Sequence, residues 1–173
     1  MLNELVQKQT LVAILATVAA SADSAEMPRP EALPPEPPAA EVFDDWHLAC
    51  ADGACVIATR VLAADGSEVL RVEAGGRPAV LSVVTPLGLH LPDGLAAGIG
   101  AGTTREAPWR TCGPKDGCRA ELPLDAELLA ALRRERAGSV TLTLVEGVPV
   151  RLGFSLMGFS AAFAALAEVS PDP

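Results

Sequence analysis

"DWHLACADGACVIATRVLAADGSEVLRVEAGGRPAVLSVV", residues 45 to 84, decides the fold. Asp52-Gly53 separates the apolar runs "DWHLAC" and "CVIATRVLA", and an Asp-Gly step between such runs supplies the positive φ of a tight hairpin turn. "AADGS" (63–67) and "AGGRP" (74–78) break the chain twice more. Between them, in "EVLRVEA" (68–74), Val69, Arg71 and Glu73 alternate with Leu70 and Val72, the two-residue period of a half-buried strand. "AVLSVV" (79–84) follows at the same spacing, so the stretch reads as a meander of sheet strands.

Downstream, "TPLGLHLPDG" (85–94) holds two prolines and two glycines and is expected to be a long connection, with Leu87, Leu89 and Leu91 packing inward at alternate positions. "LAAGIGAG" (95–102) reads as a weak strand ending in a flexible edge, because glycine offers no side chain to pack. "EAPWRT" (106–111) leads into a second pair of cysteines. Then comes a helix, with Asp125 as its cap, Leu124 and Leu129 at staple positions, Leu128 and Leu132 on its apolar face, Arg133, Arg134 and Arg136 toward its negative end, and Gly138 as its stop. "SVTLTLVE" (139–146) and "VPVRLGFSLM" (148–157) form a second hairpin turning at Glu146-Gly147, with Val140, Leu142 and Leu144 on one face. "GFSAAFAALAEV" (158–169) predicts a short amphipathic helix capped by Ser160, with Phe159, Phe163 and Leu166 at helical spacing. Many short strands and one or two short helices predict a mainly β fold, a β-sandwich.

The chain has 173 residues, half of them apolar, which suits one domain with a real core. Aromatics make up 3% and tyrosine is absent, so few rings are available to stack on sugars or bases. A net charge of −9 repels phosphate backbones and anionic membranes, and no nucleic-acid partner is expected. Residues 11–20, "LVAILATVAA", follow Lys8 and precede Ala20-Ser21-Ala22, the pattern of a signal peptide over 1–22 cleaved after Ala22, with an uncleaved anchor as the alternative. Residues 23–41 form a proline-rich leader whose "PRPEALPPEPP" (28–38) suits an extended polyproline II tether. The folded domain is expected over 42–168, with a tail at 169–173.

Cys50 lies near Cys55 and Cys112 near Cys118. Four cysteines allow three connectivities; in an exported chain the closeness of each pair favours local bridges. Zinc is the weaker reading, since ligand pairs usually stand two to four residues apart, against four and five intervening residues here. A redox pair at Cys112 and Cys118 is the other alternative, suggested by Trp109 just ahead of Cys-Gly-Pro, although a redox motif separates its thiols by two residues. Trp46 and Trp109, each a few residues before a cysteine, are expected to pack in the core against a bridge or to serve as exposed interaction residues.

No catalytic residue is assigned. His47 and His90 each stand between apolar neighbours, and Ser155 lacks the spacing of a nucleophile elbow. "GIGAG" (98–102) is not followed by the Lys-Ser/Thr of a phosphate cradle. Asp44 with Asp45 and Asp125 with Glu127 read as solvated or capping carboxylates. No metal or cofactor is expected.

Trp46 with Cys50 and Cys55, "TPLGLHLPDG", "CGPKDGCRAELPLDAELLAAL" and the closing "LMGFSAAFAAL" together resemble the invasion-associated locus B family of bacterial exported proteins, from about Phe43 to Ala167. The resemblance implies an immunoglobulin-like β-sandwich, structural cysteines, a periplasmic or outer-membrane-associated location, and no enzyme activity or cofactor. It also implies action by contact with an unidentified protein of the envelope or of a host cell, linked to host-cell invasion or envelope function. The alternative is a thiol-disulfide redox protein using Cys112 and Cys118.

Overall fold

The computed structural model describes residues 40–51 and 53–170. The signal segment expected over 1–22 and the leader up to Ala39 lie outside the described residues. The opening stretch folds as the meander its turns encode, β2 (Trp46–Ala51), β3 (Ala54–Leu62), β4 (Glu68–Gly75) and β5 (Val80–Thr85), and a further strand ahead of it, β1 (Glu41–Phe43), pairs with β2; all run antiparallel, each beside the next. β1 starts at Glu41, one residue before the expected domain, because Glu41 pairs with Leu48.

The remaining strands are β6 (Leu95–Ile99), β7 (Thr103–Ala107), β8 (Trp109–Gly113), β9 (Gly117–Pro123), β10 (Ala137–Thr143) and β11 (Pro149–Ser155), with helices α1 (Ala126–Arg134) and α2 (Phe159–Val169). One sheet has seven strands in the order β1-β2-β3-β4-β5-β9-β8, and the other has four in the order β11-β10-β6-β7. Alternate residues of the two sheets interleave in one core: Ile57, Leu70, Val72, Leu81 and Leu122 from the larger, and Leu95, Ile99, Val140, Leu142 and Phe154 from the smaller. The molecule is a mainly β, antiparallel two-sheet sandwich with two α-helices among the described residues.

Four local expectations are corrected. "LAAGI" is an interior strand: β6 pairs with β10 on one side and β7 on the other, and Leu95, Ala97 and Ile99 are all buried. Its glycine costs little because Gly98 lies on the opposite face, where the Ser139 hydroxyl is its close neighbour. Leu87 and Leu91 are exposed by 53% and 47% instead of packing inward, since the positive φ of Gly88 and the 3₁₀ turn Leu91–Asp93 destroy the alternation that an extended chain would have kept. Only Leu89 reaches inward, bridging to Leu144.

Gly138 does not stop α1. The helix ends at Arg134 with Glu135 as its C-cap, and Gly138 is a buried β10 residue facing the Phe154 ring. Nor does Ser160 cap α2. The helix starts at Phe159 behind Gly158, whose φ of +86° and lack of a side chain let the chain pass against the Phe43 carbonyl, while the Ser160 hydroxyl donates to the Arg133 carbonyl at 3.3 Å. The cap of α1 is as expected, with the Asp125 carboxylate accepting from the Leu128 N–H at 2.7 Å.

α1 lies at one end of the sandwich, and α2 runs along the larger sheet from Trp46, beside Phe159, to the β4–β5 turn, where Arg77 donates to the Ser170 carbonyl at 2.8 Å. α1 joins β9 to β10, the Leu124 N–H donates to the Ala79 carbonyl in the β4–β5 turn, and α2 packs on β2 and β3. The other end carries the β5–β6 connection, the β8–β9 turn and the β10–β11 turn.

Candidate interaction surface

The cysteines occupy directly opposed positions on neighbouring strands, where cross-strand side chains come closest. Cys50 on β2 faces Cys55 on β3, and Cys112 on β8 faces Cys118 on β9, each pair with Cα atoms 4.0 Å apart and sulfurs bonded. The two bridges sit at opposite ends. Cys55 adjoins Val56, which pairs with Gly75 beside the helices, while Cys118 pairs with Thr85 at the loop end.

Their surroundings differ. Cys50 and Cys55 are both half-buried, and Cys55 packs on the core. Cys112 is exposed on the outermost strand, whereas Cys118 is 1% exposed.

Trp46 is fully buried, donates its indole N–H to the Ser155 carbonyl at 3.1 Å, and meets Phe159 edge to face with 5.0 Å between ring centroids. Cys50 lies four positions further along β2, about 13 Å of extended chain. Trp109 is half-buried and packs against the core, opposite Ala120. Its indole nitrogen is covered and has no hydrogen-bond partner among the described residues.

Most of the other residues considered for chemistry have structural partners. His47 is exposed on β2, and His90 Nδ1 lies 3.0 Å from Asp93 Oδ1. Hydrogen bonds from the Thr143 hydroxyl, first, and from His90 hold the Asp93 carboxyl below its ordinary pKa. Glu127 lies 2.8 Å from Arg105, which also stands 3.6 Å from Asp125; these carboxylates raise the arginine's pKa, Glu127 most. The Ser155 hydroxyl accepts from the Met157 N–H at 3.1 Å. Arg133 stands over the Phe163 ring at 5.3 Å. The glycines after Ile99 turn the chain into a strand, β7, with no helix to aim amides at a phosphate.

Across the outer face of the larger sheet runs an ion-pair ladder. Glu73 stands 2.8 Å from Arg71 and 2.9 Å from Arg119, and Glu68 lies 3.4 Å from both Arg60 and Arg71. The Arg71 Nε–H is misaligned for a hydrogen bond to Glu73, so their contact is an ion pair only. Arg71 and Arg119 flank Val84 in register, and their aliphatic stems bury it to 5% exposure. This face is charged but internally paired.

Two other regions are open to a partner. At the loop end, Leu87 and Leu91 from one connection and Val145 (61% exposed) and Val148 (51%) from the β10–β11 turn gather around the Leu89–Leu144 bridge. Backbone hydrogen bonds lock the loops together: His90 N–H to the Thr143 carbonyl at 2.8 Å and Val145 N–H to the Gly88 carbonyl at 2.9 Å. The exposed side chains are therefore displayed on a fixed backbone. At the helix end, a groove of about 1090 Å³ runs between α2 and the β2–β3 and β4–β5 turns, walled by Cys55, Val56, Pro78, Phe163 and Leu166. The sequence reading missed the apolar loop end. The signal was present in Val145 and Val148, aliphatic residues on either side of a Glu-Gly turn where polar ones are usual.

A profile of the family described as invasion associated locus B (IalB) protein matches residues 46–167. No curated protein matches the chain. Among solved structures, it resembles the crystal structure of invasion associated protein b from Bartonella henselae, with a TM-score of 0.70 and 20% identity over 78% of this chain and 99% of that one. At that identity the likeness establishes the shared sandwich.

Proposed function

The chain belongs to the invasion associated locus B family, and on that premise we propose that it is an exported, non-enzymatic β-sandwich of the periplasm or outer membrane that works by binding another protein. Its partner is a protein of the envelope or of a host cell, and the invasion link in the family's name extends to this chain as part of the same proposal.

The observation that supports contact as the mode of action is the loop end, where Leu87, Leu91, Val145 and Val148 are each about half exposed or more on two mutually hydrogen-bonded loops. Clustered aliphatic surface costs solubility and is usually kept for a partner. The test is photo-crosslinking in intact cells from positions 91 and 148, after fractionation. A discrete protein adduct from the envelope fraction, lost on Leu87→Asp, is the expected result; protein confined to the cytosol, or adducts indifferent to that substitution, would refute the proposal.

The redox alternative draws on the exposure of Cys112. Against it, Cys112 sits on a strand, away from the helix N-terminus that lowers the pKa of an attacking thiol.

A further inference from the structure

We infer that the Cys112–Cys118 bridge is a thiol-exchange site attacked at the Cys112 sulfur, which makes this chain a substrate for small thiols and for dithiol oxidoreductases. Thiol-disulfide exchange requires a thiolate to approach one sulfur roughly in line with the bond it breaks, so access to the far side of each sulfur decides which is attacked. β8 is the outermost strand of its sheet, and the bridge crosses from β8 to β9. On the Cys112 side no further strand of the sheet follows. On the Cys118 side stands β5, where Thr85 pairs with Cys118.

Burial agrees with this direction. Cys112 is exposed and Cys118 is 1% exposed, while Gly117 lies so close to the Thr85 carbonyl that no side chain would fit between them. The first bridge lacks this asymmetry, since Cys50 and Cys55 are both half-buried and Cys55 is packed on the core.

The step balances with a thiol as the named reductant. An incoming thiolate forms a new S–S bond to Cys112, the old bond breaks, and its electron pair leaves on the Cys118 sulfur, which takes a proton from water. A second thiol then releases Cys112 as a free thiol, with the reductant oxidised to its disulfide. Exchange unpins the tip of β8 from β9 next to Pro86 and Leu87, so the redox state of the bridge bears on the exposed loop end.

The test uses the full chain with both bridges intact and reduced glutathione as the probe. After brief exposure to a series of glutathione concentrations, free thiols are trapped with N-ethylmaleimide and the peptides mapped without reduction. The expected first product carries glutathione on Cys112 and maleimide on Cys118, with opening of Cys50–Cys55 requiring at least about tenfold more glutathione. Glutathione on Cys118, opening of Cys50–Cys55 at the same or lower concentration, or both bridges intact until the protein unfolds would each overturn the inference. None of these outcomes depends on the proposed protein partner.

Discussion

Trp46 and Ser155 are joined by a 3.1 Å hydrogen bond that spans 109 residues of sequence and ties β2 of the larger sheet to β11 of the smaller. The indole also forms the edge-to-face contact with Phe159 at the start of α2, so one fully buried side chain links both sheets and a helix. Trp46→Ala should cost about 3–5 kcal/mol, from lost burial and the cavity left behind. Trp46→Phe should cost less, about 1–3 kcal/mol, largely for the carbonyl left without its donor. Urea denaturation of the two variants checks the order, and a Trp46→Phe variant as stable as the parent would show that the hydrogen bond adds nothing to the packing.

Gly138 and Phe154 face each other across β10 and β11, and a β-carbon at 138 would overlap the ring. Gly138→Ala should therefore destabilise the protein by about 1–3 kcal/mol, although alanine suits a strand no worse than glycine does. Pairing it with Phe154→Leu should recover part of the loss. A double-mutant cycle by thermal denaturation measures that coupling.

Asp125 supplies the cap of α1. Asp125→Ala should cost about 1 kcal/mol and Asp125→Asn only a fraction of that, since the amide oxygen still accepts from Leu128. Circular dichroism melts of both variants distinguish the cap from the 3.6 Å Arg105 contact, which asparagine would also remove.

Asp93 has its pKa lowered by Thr143 and His90 in the folded protein. A carboxylate with a depressed folded pKa contributes stability that is fully present above its unfolded value, about pH 4, and is lost as pH falls through the folded one. Asp93→Asn should flatten the profile by lowering stability slightly at neutral pH, where the exposed carboxylate makes its small contribution, with the two proteins converging as pH falls below about 4. Urea midpoints from pH 2.5 to 7 for both proteins provide the check; parallel profiles would show that Asp93 does not contribute to acid sensitivity.

Strands β2 to β5 were legible because each turn carried its own chemistry and each strand its alternation, from Asp52-Gly53 to the buried Leu70 and Val72, whereas β1 carried no such signal. The pairing of the cysteines was legible for a related reason: two residues that flank a tight turn become cross-strand neighbours. Trp46 was legible only as a core or interaction residue, and its partner Ser155 was hidden, since a backbone carbonyl has no sequence signature. The same limit concealed the role of Gly138, which looks like a helix stop until Phe154 is brought to it from the neighbouring strand.

Sequence by itself determined where β2 to β6, β10, β11 and the two helices lie, which face of most of those strands is apolar, and that the sulfurs meet locally, because these follow from contacts within a few residues. Tertiary structure decided which sheet a strand joins, as with β7 and β8, which lie in different sheets although only Pro108 separates them. It also decided which aliphatic residues of the loops stay in water, and that Cys112 is exposed while Cys118 is covered. The reason is that alternation records only that a face is apolar. What covers that face comes from segments distant in the chain, and their arrival depends on how both sheets close over the shared core.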